Sequence, residues 1–189
     1  MSIELKPFCA YEDEYPSWKW LEKPFSRGDF SYATNGAIMV RVPRRSGVAD
    51  IERKGDWDRP LQHRGDLAFR AVRLRIPGDP PVTGQCGLCG GSGHIEGVLE
   101  FGCAMCGGSG WFDPELRMSA RLDGLHLCVS YLRRIAALPG LAIAADATPS
   151  GIRPSGIPAL QFSFDGGVGC LAALSGPYEA SIEIACEDR

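Results

Sequence analysis

The sequence predicts an α+β domain, built from a mostly antiparallel sheet with one or two short helices, into which a small cysteine-rich segment is inserted. Three observations lead to this prediction. Short segments rich in aromatic and β-branched residues flank turn signals at Asn35-Gly36, Asp123-Gly124 and Gly166-Gly167. A helical pattern covers 131–138 and stops at Pro139-Gly140. Four cysteines are grouped in two copies of one eight-residue phrase.

The remaining elements follow from apolar periodicity and turn residues. In chain order they are an opening strand at 3–8, a short helix within 11–28, a hairpin of 29–34 with 37–42, a strand at 67–76, a hairpin of 118–122 with 125–129, the helix at 131–138, a strand at 141–145, a hairpin of 159–165 with 168–174 and a last strand at 178–184. Ser130 is suited to cap the 131–138 helix. Residues 43–65 are polar and turn-rich, which predicts a mobile loop, and the sequence does not indicate their role.

The two cysteine phrases carry the clearest chemistry. They read Cys86-Gly-Leu-Cys89-Gly-Gly-Ser-Gly and Cys103-Ala-Met-Cys106-Gly-Gly-Ser-Gly. Two C-x-x-C turns supply the four thiolates that a tetrahedral zinc site takes, so we expect one Zn²⁺ per chain. Two alternatives stay open: His94 could replace one cysteine, and the cysteine pairs could be redox-active.

The phrases divide the chain into an arm and a body. We call residues 84–112 the cysteine arm and expect a small β-hairpin at 94–101 between its two phrases. We call residues 1–80 together with 115–189 the body. Strand patterns lie on both sides of the arm, so the body is expected to fold as one unit around an inserted arm.

Charge is strongly segregated along the chain, although the net charge is only −3. Residues 41–75 carry ten basic and five acidic residues, whereas 76–115 carry five acidic residues and no Lys or Arg. Phosphate binding needs positive charge, so the arm is a poor nucleic-acid site. The candidate nucleic-acid contacts lie on the body and are Arg41, Arg44, Arg45, Arg133 and Arg134. The alternative for the basic stretch is a solvated loop face.

The compartment is expected to be the reducing cytoplasm. The first residues lack the apolar region of a signal peptide, and no apolar run is long enough for a membrane span. Four further cysteines, at 9, 128, 170 and 186, share no spacing and are expected to be small buried side chains.

Support for an enzyme is weak. The chain has three histidines, and none lies in an H-E-x-x-H helix. A G-x-S-x-G elbow and a phosphate-binding glycine loop are also missing from the sequence. We therefore expect a non-catalytic protein.

The repeated C-x-x-C-x-G-x-G pattern resembles the cysteine-rich zinc domain of DnaJ-type co-chaperones. That family usually carries four repeats and two zinc ions, so two repeats imply one ion. The chain lacks the His-Pro-Asp tripeptide of the family's J-domain. The resemblance covers about 84–112 and implies zinc binding.

A second resemblance concerns the body. The phrase Tyr32-Ala-Thr-Asn-Gly-Ala-Ile-Met-Val is similar to the Ala-Thr-Asp-Gly-His phrase of sliding clamps of the DNA polymerase III beta subunit type, and departs from it at Asn35 and Ala37. The helical segment Tyr131–Pro139 and the strands of 159–174 resemble the second half of a clamp domain. The resemblance implies a clamp-like domain of two similar halves.

Two functions follow from these features. The first is a non-catalytic zinc-binding accessory protein, clamp-like and acting in DNA metabolism, of a phage or mobile-element type. The second is a zinc-dependent protein-binding or chaperone-like module without DNA binding. A protein partner is expected in either case, DNA would bind through the body rather than the arm, and an oligomer is compatible with both.

Overall fold

A computed structural model describes residues 3–10, 16–52, 57–61, 67–78, 83–94, 103, 106, 110–146, 158–174, 182 and 184–188. The strands are β1 (Phe25–Arg27), β2 (Phe30–Thr34), β3 (Ile38–Pro43), β4 (Arg70–Arg75), β5 (Gly84–Gln85), β6 (Trp111–Phe112), β7 (Ser119–Leu122), β8 (Leu125–Cys128), β9 (Ala142–Asp146), β10 (Ala159–Phe164), β11 (Gly167–Ala172) and β12 (Ala185–Asp188). The α-helix among these residues, α1, is Val129–Ala136, and short 3-10 helices cover Lys6–Phe8, Pro16–Leu21, Arg59–Leu61 and Pro114–Arg117. The predicted α+β class is confirmed.

The described strands form one eight-stranded antiparallel sheet and two small two-stranded sheets. The order of the large sheet is β1-β2-β3-β11-β10-β9-β4-β12. Its centre is the pairing of β3 with β11, with the meander β1-β2-β3 on one side and the meander β9-β10-β11 on the other. Six strands are therefore arranged as two similar halves about the β3–β11 junction.

The three predicted hairpins are confirmed as β2–β3, β7–β8 and β10–β11. In the first, the side-chain oxygen of Asn35 accepts the N–H groups of Ala37 and Ile38, each at 3.1 Å. Gly36 takes the positive φ of +88° that the turn requires. Asp123 and Gly124 have φ of +49° and +81°, as a tight turn between right-twisted strands requires.

Glycines in β11 let two aromatic rings lie flat against the sheet. Phe162 pairs with Gly169, and Phe164 pairs with Gly167. A Cβ added at Gly169 would lie 2.2 Å from the Phe162 ring and 2.7 Å from the Met39 carbonyl oxygen. These glycines keep the central strands close together while the rings fill the core.

The main core lies between the sheet and α1. Leu132 and Ile135 on α1 are fully buried, as the helical pattern predicts, and pack with apolar side chains of the central strands. The hairpin β7–β8 adds Leu127 to the same cluster. The helix therefore covers one face of the sheet, as in other α+β domains.

A smaller aromatic cluster covers the opposite face near β1, β2 and β11. Phe25 and Tyr32 stack with their centroids 5.4 Å apart, and Trp57 meets Phe25 edge-on at 5.2 Å. Leu61, in the 3-10 helix Arg59–Leu61, is buried in the same cluster. Segment 57–61, which lies in the polar 43–65 stretch, is thus an ordered cover for the sheet.

Two predicted elements are wrong. Residues 3–8 do not form an opening strand, because Lys6–Phe8 is a 3-10 helix with Pro7 in its first turn and Phe8 in the core. Ser130 does not cap α1: the helix already begins at Val129, and the Ser130 hydroxyl donates to Asp113 Oδ2 at 2.6 Å.

The last described strand lies later than the predicted 178–184. It is Ala185–Asp188, which pairs with β4, while Ile182 forms an isolated bridge with Ala120 and the other predicted residues lie outside the described set, apart from Ile184. Ala185 lies opposite Arg75 in this register, and Arg75 and Arg70 pair with Glu187 and Asp188 across the two strands.

Of the described helices, none has the length and apolar character required to cross a membrane. Among the four scattered cysteines, Cys9, Cys128 and Cys170 are buried as predicted, and Cys186 is half-buried beside Arg70.

Candidate metal centre

The described ends of the cysteine arm form a short stem. Strand β5 pairs with β6, so that Gly84 lies opposite Phe112 and Gln85 opposite Trp111. Next to this stem, the Cys86 N–H donates to the Gly110 carbonyl at 2.9 Å. The stem brings the two cysteine phrases together. The predicted hairpin at 94–101 lies outside the described residues after His94.

The four sulfur atoms of the arm converge on one point. The Sγ atoms of the four cysteines lie within 4.8 Å of one another. Cys86 Sγ is 3.6 Å from Cys103 Sγ, and Cys89 Sγ is 3.8 Å from Cys106 Sγ. All four thiols are free of disulfide bonds. This cluster could hold a metal ion.

The two phrases are related by a local two-fold pattern of hydrogen bonds. Cys86 N–H donates to Gly110, the last residue of the second phrase, and Cys103 N–H donates to Gly93, the last residue of the first, at 2.7 Å. Each phrase thus closes on the first cysteine of the other. The two copies of the sequence phrase therefore make equivalent backbone hydrogen bonds.

The glycine tails turn their amide groups toward sulfur. The Gly110 N–H donates to Cys106 Sγ at 3.3 Å. Burial disfavours the thiolate of Cys89, but hydrogen bonds from the N–H groups of Gly93 and Gly91 outweigh it and lower the Cys89 pKa. Burial raises the pKa of Cys86 to about 11 in the metal-free cluster. A bound cation would be needed to hold Cys86 as a thiolate at neutral pH.

One glycine is required by close packing as well as by backbone conformation. Gly110 has φ of +74°, and a Cβ there would lie 2.2 Å from the Gly91 carbonyl oxygen. Gly90 has φ of +59° but open space around it. The second phrase therefore packs against the backbone of the first.

The donor set fits zinc. For Zn–S distances of about 2.3 Å, a tetrahedron has S–S edges of about 3.8 Å, which agrees with the 3.6 and 3.8 Å separations. Among the described residues, the cluster that could hold a metal ion consists of the four cysteines. His94 is exposed and is not part of it. Two independent redox-active cysteine pairs would not need to lie together, whereas one metal site needs all four sulfur atoms. The convergence of the two pairs therefore favours a metal site.

The predicted nucleic-acid contacts on α1 lie at the base of the arm. Arg133 Nε donates to Glu115 Oε1 at 2.6 Å, and its side chain is 19% exposed. Arg134 lies 3.8 Å from Asp113 Oδ2 and is 15% exposed. Both guanidinium groups are already paired with carboxylates, so a phosphate would have to compete for them.

The other three candidate arginines lie on β3 or directly after it. Arg41 pairs with Asp58 at 2.7 Å, and Arg45 donates to the Ile3 carbonyl at 2.5 Å. Arg44 pairs with Asp50 at 2.7 Å but keeps 43% of its side chain exposed. All five arginines therefore already bind acceptors within the chain, and nucleic-acid contact through any of them stays a prediction.

Sequence reasoning missed the buried acidic residues that follow the arm. The side chains of Asp113 and Glu115 are 3% and 5% exposed, and both are paired with α1. A signal was present in the sequence: 76–115 contains no Lys or Arg, so acidic residues buried at its end must find cations elsewhere.

Comparison with family models, with curated proteins and with solved structures finds no match for this chain. The DnaJ-type and clamp resemblances therefore rest on the quoted residues alone, and the geometry adds a cysteine cluster that could hold a metal ion.

Proposed function

We propose that this chain is a non-catalytic accessory protein whose cysteine arm binds one zinc ion and presents a surface to a protein partner. The observation that carries the proposal is the convergence of Cys86, Cys89, Cys103 and Cys106 within 4.8 Å. Four thiolates complete the coordination of zinc and leave no open position for water or substrate. The ion would hold the arm together rather than perform chemistry.

The charge of the arm favours a protein partner over nucleic acid. Residues 76–115 carry no Lys or Arg, and four thiolates around Zn²⁺ add a formal charge of about −2. Leu88, between the first two ligands, is the large hydrophobic side chain that is exposed among the described residues, at 51%. An exposed apolar residue on an acidic arm suits contact with a protein.

The metal part of the proposal is tested by elemental analysis of protein purified without added metal. We expect close to one zinc per chain, and loss of zinc in Cys103→Ser. The matched control is Cys186→Ser, which removes a cysteine outside the arm and should leave the zinc content unchanged. Protein that contains no metal and has a Cys86–Cys89 disulfide would contradict the proposal.

The partner part is tested by Leu88→Asp. This change leaves the ligands in place, so zinc content should stay near one per chain while the partner is lost in crosslinking from native extract. The control is Leu116→Asp, because Leu116 is half-buried against the core of the body. Only Leu88→Asp should change the set of crosslinked proteins. An unchanged set would remove Leu88 from the docking surface.

A second candidate is the clamp-like accessory of DNA metabolism, with the body as the DNA-binding part. The arrangement of β1-β2-β3 and β9-β10-β11 about one junction supports it, because a clamp domain is expected to contain two similar halves. Lys6–Phe8 also lies beside α1, since Arg134 donates to the Pro7 carbonyl at 2.8 Å.

The clamp candidate is tested by duplex DNA affinity at several salt concentrations and by light scattering. DNA binding should weaken steeply with salt, and Arg44→Glu should reduce the slope by about one phosphate contact. The control is Arg73→Glu on the exposed face of β4. No binding at low salt, together with a monomer by light scattering, would reject this candidate and leave the protein-binding proposal standing.

A further inference from the structure

A network of charged and polar side chains lies where the cysteine arm meets the body, and we propose that it is a joint that fixes the direction of the arm. We call this network the arm joint. It consists of Asp113 and Glu115, which follow strand β6, and of Ser130, Arg133 and Arg134, which lie on α1.

Arg133 contacts the chain segments on both sides of the arm. Its Nε donates to Glu115 Oε1 at 2.6 Å on the outgoing segment. Its Nη1 and Nη2 donate to the carbonyls of Ile76 at 3.3 Å and Pro77 at 3.0 Å on the incoming segment. One planar guanidinium group therefore holds the two connections in a fixed relation, which a flexible ammonium group could not do as well.

Asp113 fixes the outgoing segment from a second direction. Its Oδ1 accepts the Glu115 N–H at 2.9 Å and so caps the 3-10 helix Pro114–Arg117. Its Oδ2 accepts the Ser130 hydroxyl at 2.6 Å and lies 3.8 Å from Arg134. Two carboxylates, two residues apart in the chain, thus contact three residues of α1, namely Ser130, Arg133 and Arg134.

The charge pattern of the chain requires the body to supply these cations. Both carboxylates are nearly fully buried, and an unpaired buried charge is strongly unfavourable. No Lys or Arg exists between 76 and 115 that could neutralise them from within this segment. The two carboxylates that follow the arm are therefore neutralised by arginines of α1.

The arm needs such a joint because its stem is short. Strands β5 and β6 contain two residue pairs, and a ribbon of this length does not hold a direction by itself. A buried ion pair adds little net stability compared with apolar packing, but it can specify one geometry. Arg133 is therefore a positioning residue for the metal centre and not a ligand of it.

The test measures amide residual dipolar couplings on the full zinc-loaded chain, comparing wild type with Arg133→Met. In the wild type, amides of the stem and of the body should fit one alignment tensor. In Arg133→Met, the stem amides should no longer fit the body's tensor, while zinc content stays at one per chain. The matched control is Arg121→Met, an exposed arginine on β7, which should leave one tensor.

Two results would overturn the proposal: a single shared tensor in Arg133→Met, or equal loss of alignment in Arg121→Met. If Arg133→Met does not fold, Glu115→Gln replaces it, since it keeps the shape of the side chain and removes the charge that Arg133 binds. A single tensor in Glu115→Gln would likewise reject the joint. Zinc content that falls together with the alignment would instead assign Arg133 to folding of the arm.

Discussion

The cysteine arm and the body are stabilised by different interactions. In the described part of the arm, four sulfur atoms lie close together, and two reciprocal backbone hydrogen bonds join the two cysteine phrases. In the body, α1 and the sheet enclose a continuous apolar cluster that includes Leu132, Phe162 and Leu171. The arm is therefore expected to depend on a metal ion and the body on burial of apolar surface.

This difference implies two separable transitions in one chain. Metal binding to a small cysteine module supplies its folding free energy, whereas a body with its own core does not need the ion. The two parts meet at the arm joint. The joint sets the direction of the arm relative to the body, while the arm and the body still unfold independently.

Removal of zinc should have the largest effect, and it should be confined to the arm. Zinc binding in small cysteine modules contributes about 10–16 kcal/mol at neutral pH. A chelator should abolish hydrogen-exchange protection of the Cys86 and Cys103 amides, while amides of β10 and β11 stay protected. Equal loss of protection in the sheet would show that the body also depends on the metal.

A large-to-small change in the core should have the opposite distribution. Phe162 is fully buried, and Phe162→Ala should destabilise the body by about 3–5 kcal/mol because it leaves a cavity. Denaturant unfolding monitored by far-UV circular dichroism measures this loss. Zinc content of the still-folded protein should remain at one per chain, and zinc release at low denaturant would contradict the separation.

Local signals explain why much of both regions could be predicted from the sequence. Turn chemistry at Asn35-Gly36 and Asp123-Gly124 acts within a few residues, so the hairpins were identifiable. The spacing of the cysteine phrases is equally local, and it predicted the cluster that the structure contains.

Tertiary contacts explain what the sequence did not reveal. The position of Ser130 in the sequence predicted a helix cap. In the structure its hydroxyl instead donates a hydrogen bond to Asp113, seventeen residues earlier. Phe8 was predicted to lie on a strand, but Pro7 and burial against the sheet favour a 3-10 turn. Such competition depends on residues far away in the chain, which periodicity does not report.

Two glycine substitutions within the arm should separate backbone strain from close packing. Gly90→Ala places a Cβ at positive φ in open space and should cost about 1–2 kcal/mol. Gly110→Ala carries the same strain and also meets the Gly91 carbonyl oxygen, so it should weaken zinc binding further. Competition with a chromophoric chelator measures both variants. Equal affinities would show that the two phrases do not need their close approach.

The arm and the body should respond to pH in opposite directions. Protons compete with zinc for thiolates, so the arm should lose zinc as pH falls. In the body, burial raises the pKa of Cys9 and Cys128 to about 11, from an ordinary value of 9.0. Between these values the unfolded chain releases protons that the folded body retains, so body stability should fall as pH rises from about 9 through 11.

Unfolding at several pH values, with zinc release followed in parallel, tests this opposition. Cys9→Ala removes one of the buried thiols and should flatten the alkaline decline of the body. The same substitution should leave the acid release of zinc unchanged. A body whose stability does not change between pH 9 and 11 would show that these thiols are more accessible to water than their burial indicates.

The smallest effect is expected for an exposed ion pair of the body. Arg44 and Asp50 are 43% and 64% exposed, and their hydrogen bond keeps the pKa of Asp50 below its ordinary value. Any contribution is therefore present at neutral pH, is lost as pH falls, and is screened by salt. Arg44→Ala should shift the unfolding midpoint of the body less than Arg41→Ala. Arg41 is 24% exposed, stacks over Phe30 and binds Asp58, the carboxylate that also accepts the Tyr32 hydroxyl. Equal shifts in the two variants would mean that burial does not rank the ion pairs of the body, and would weaken the reason for assigning orientation to the buried pairs of the arm joint.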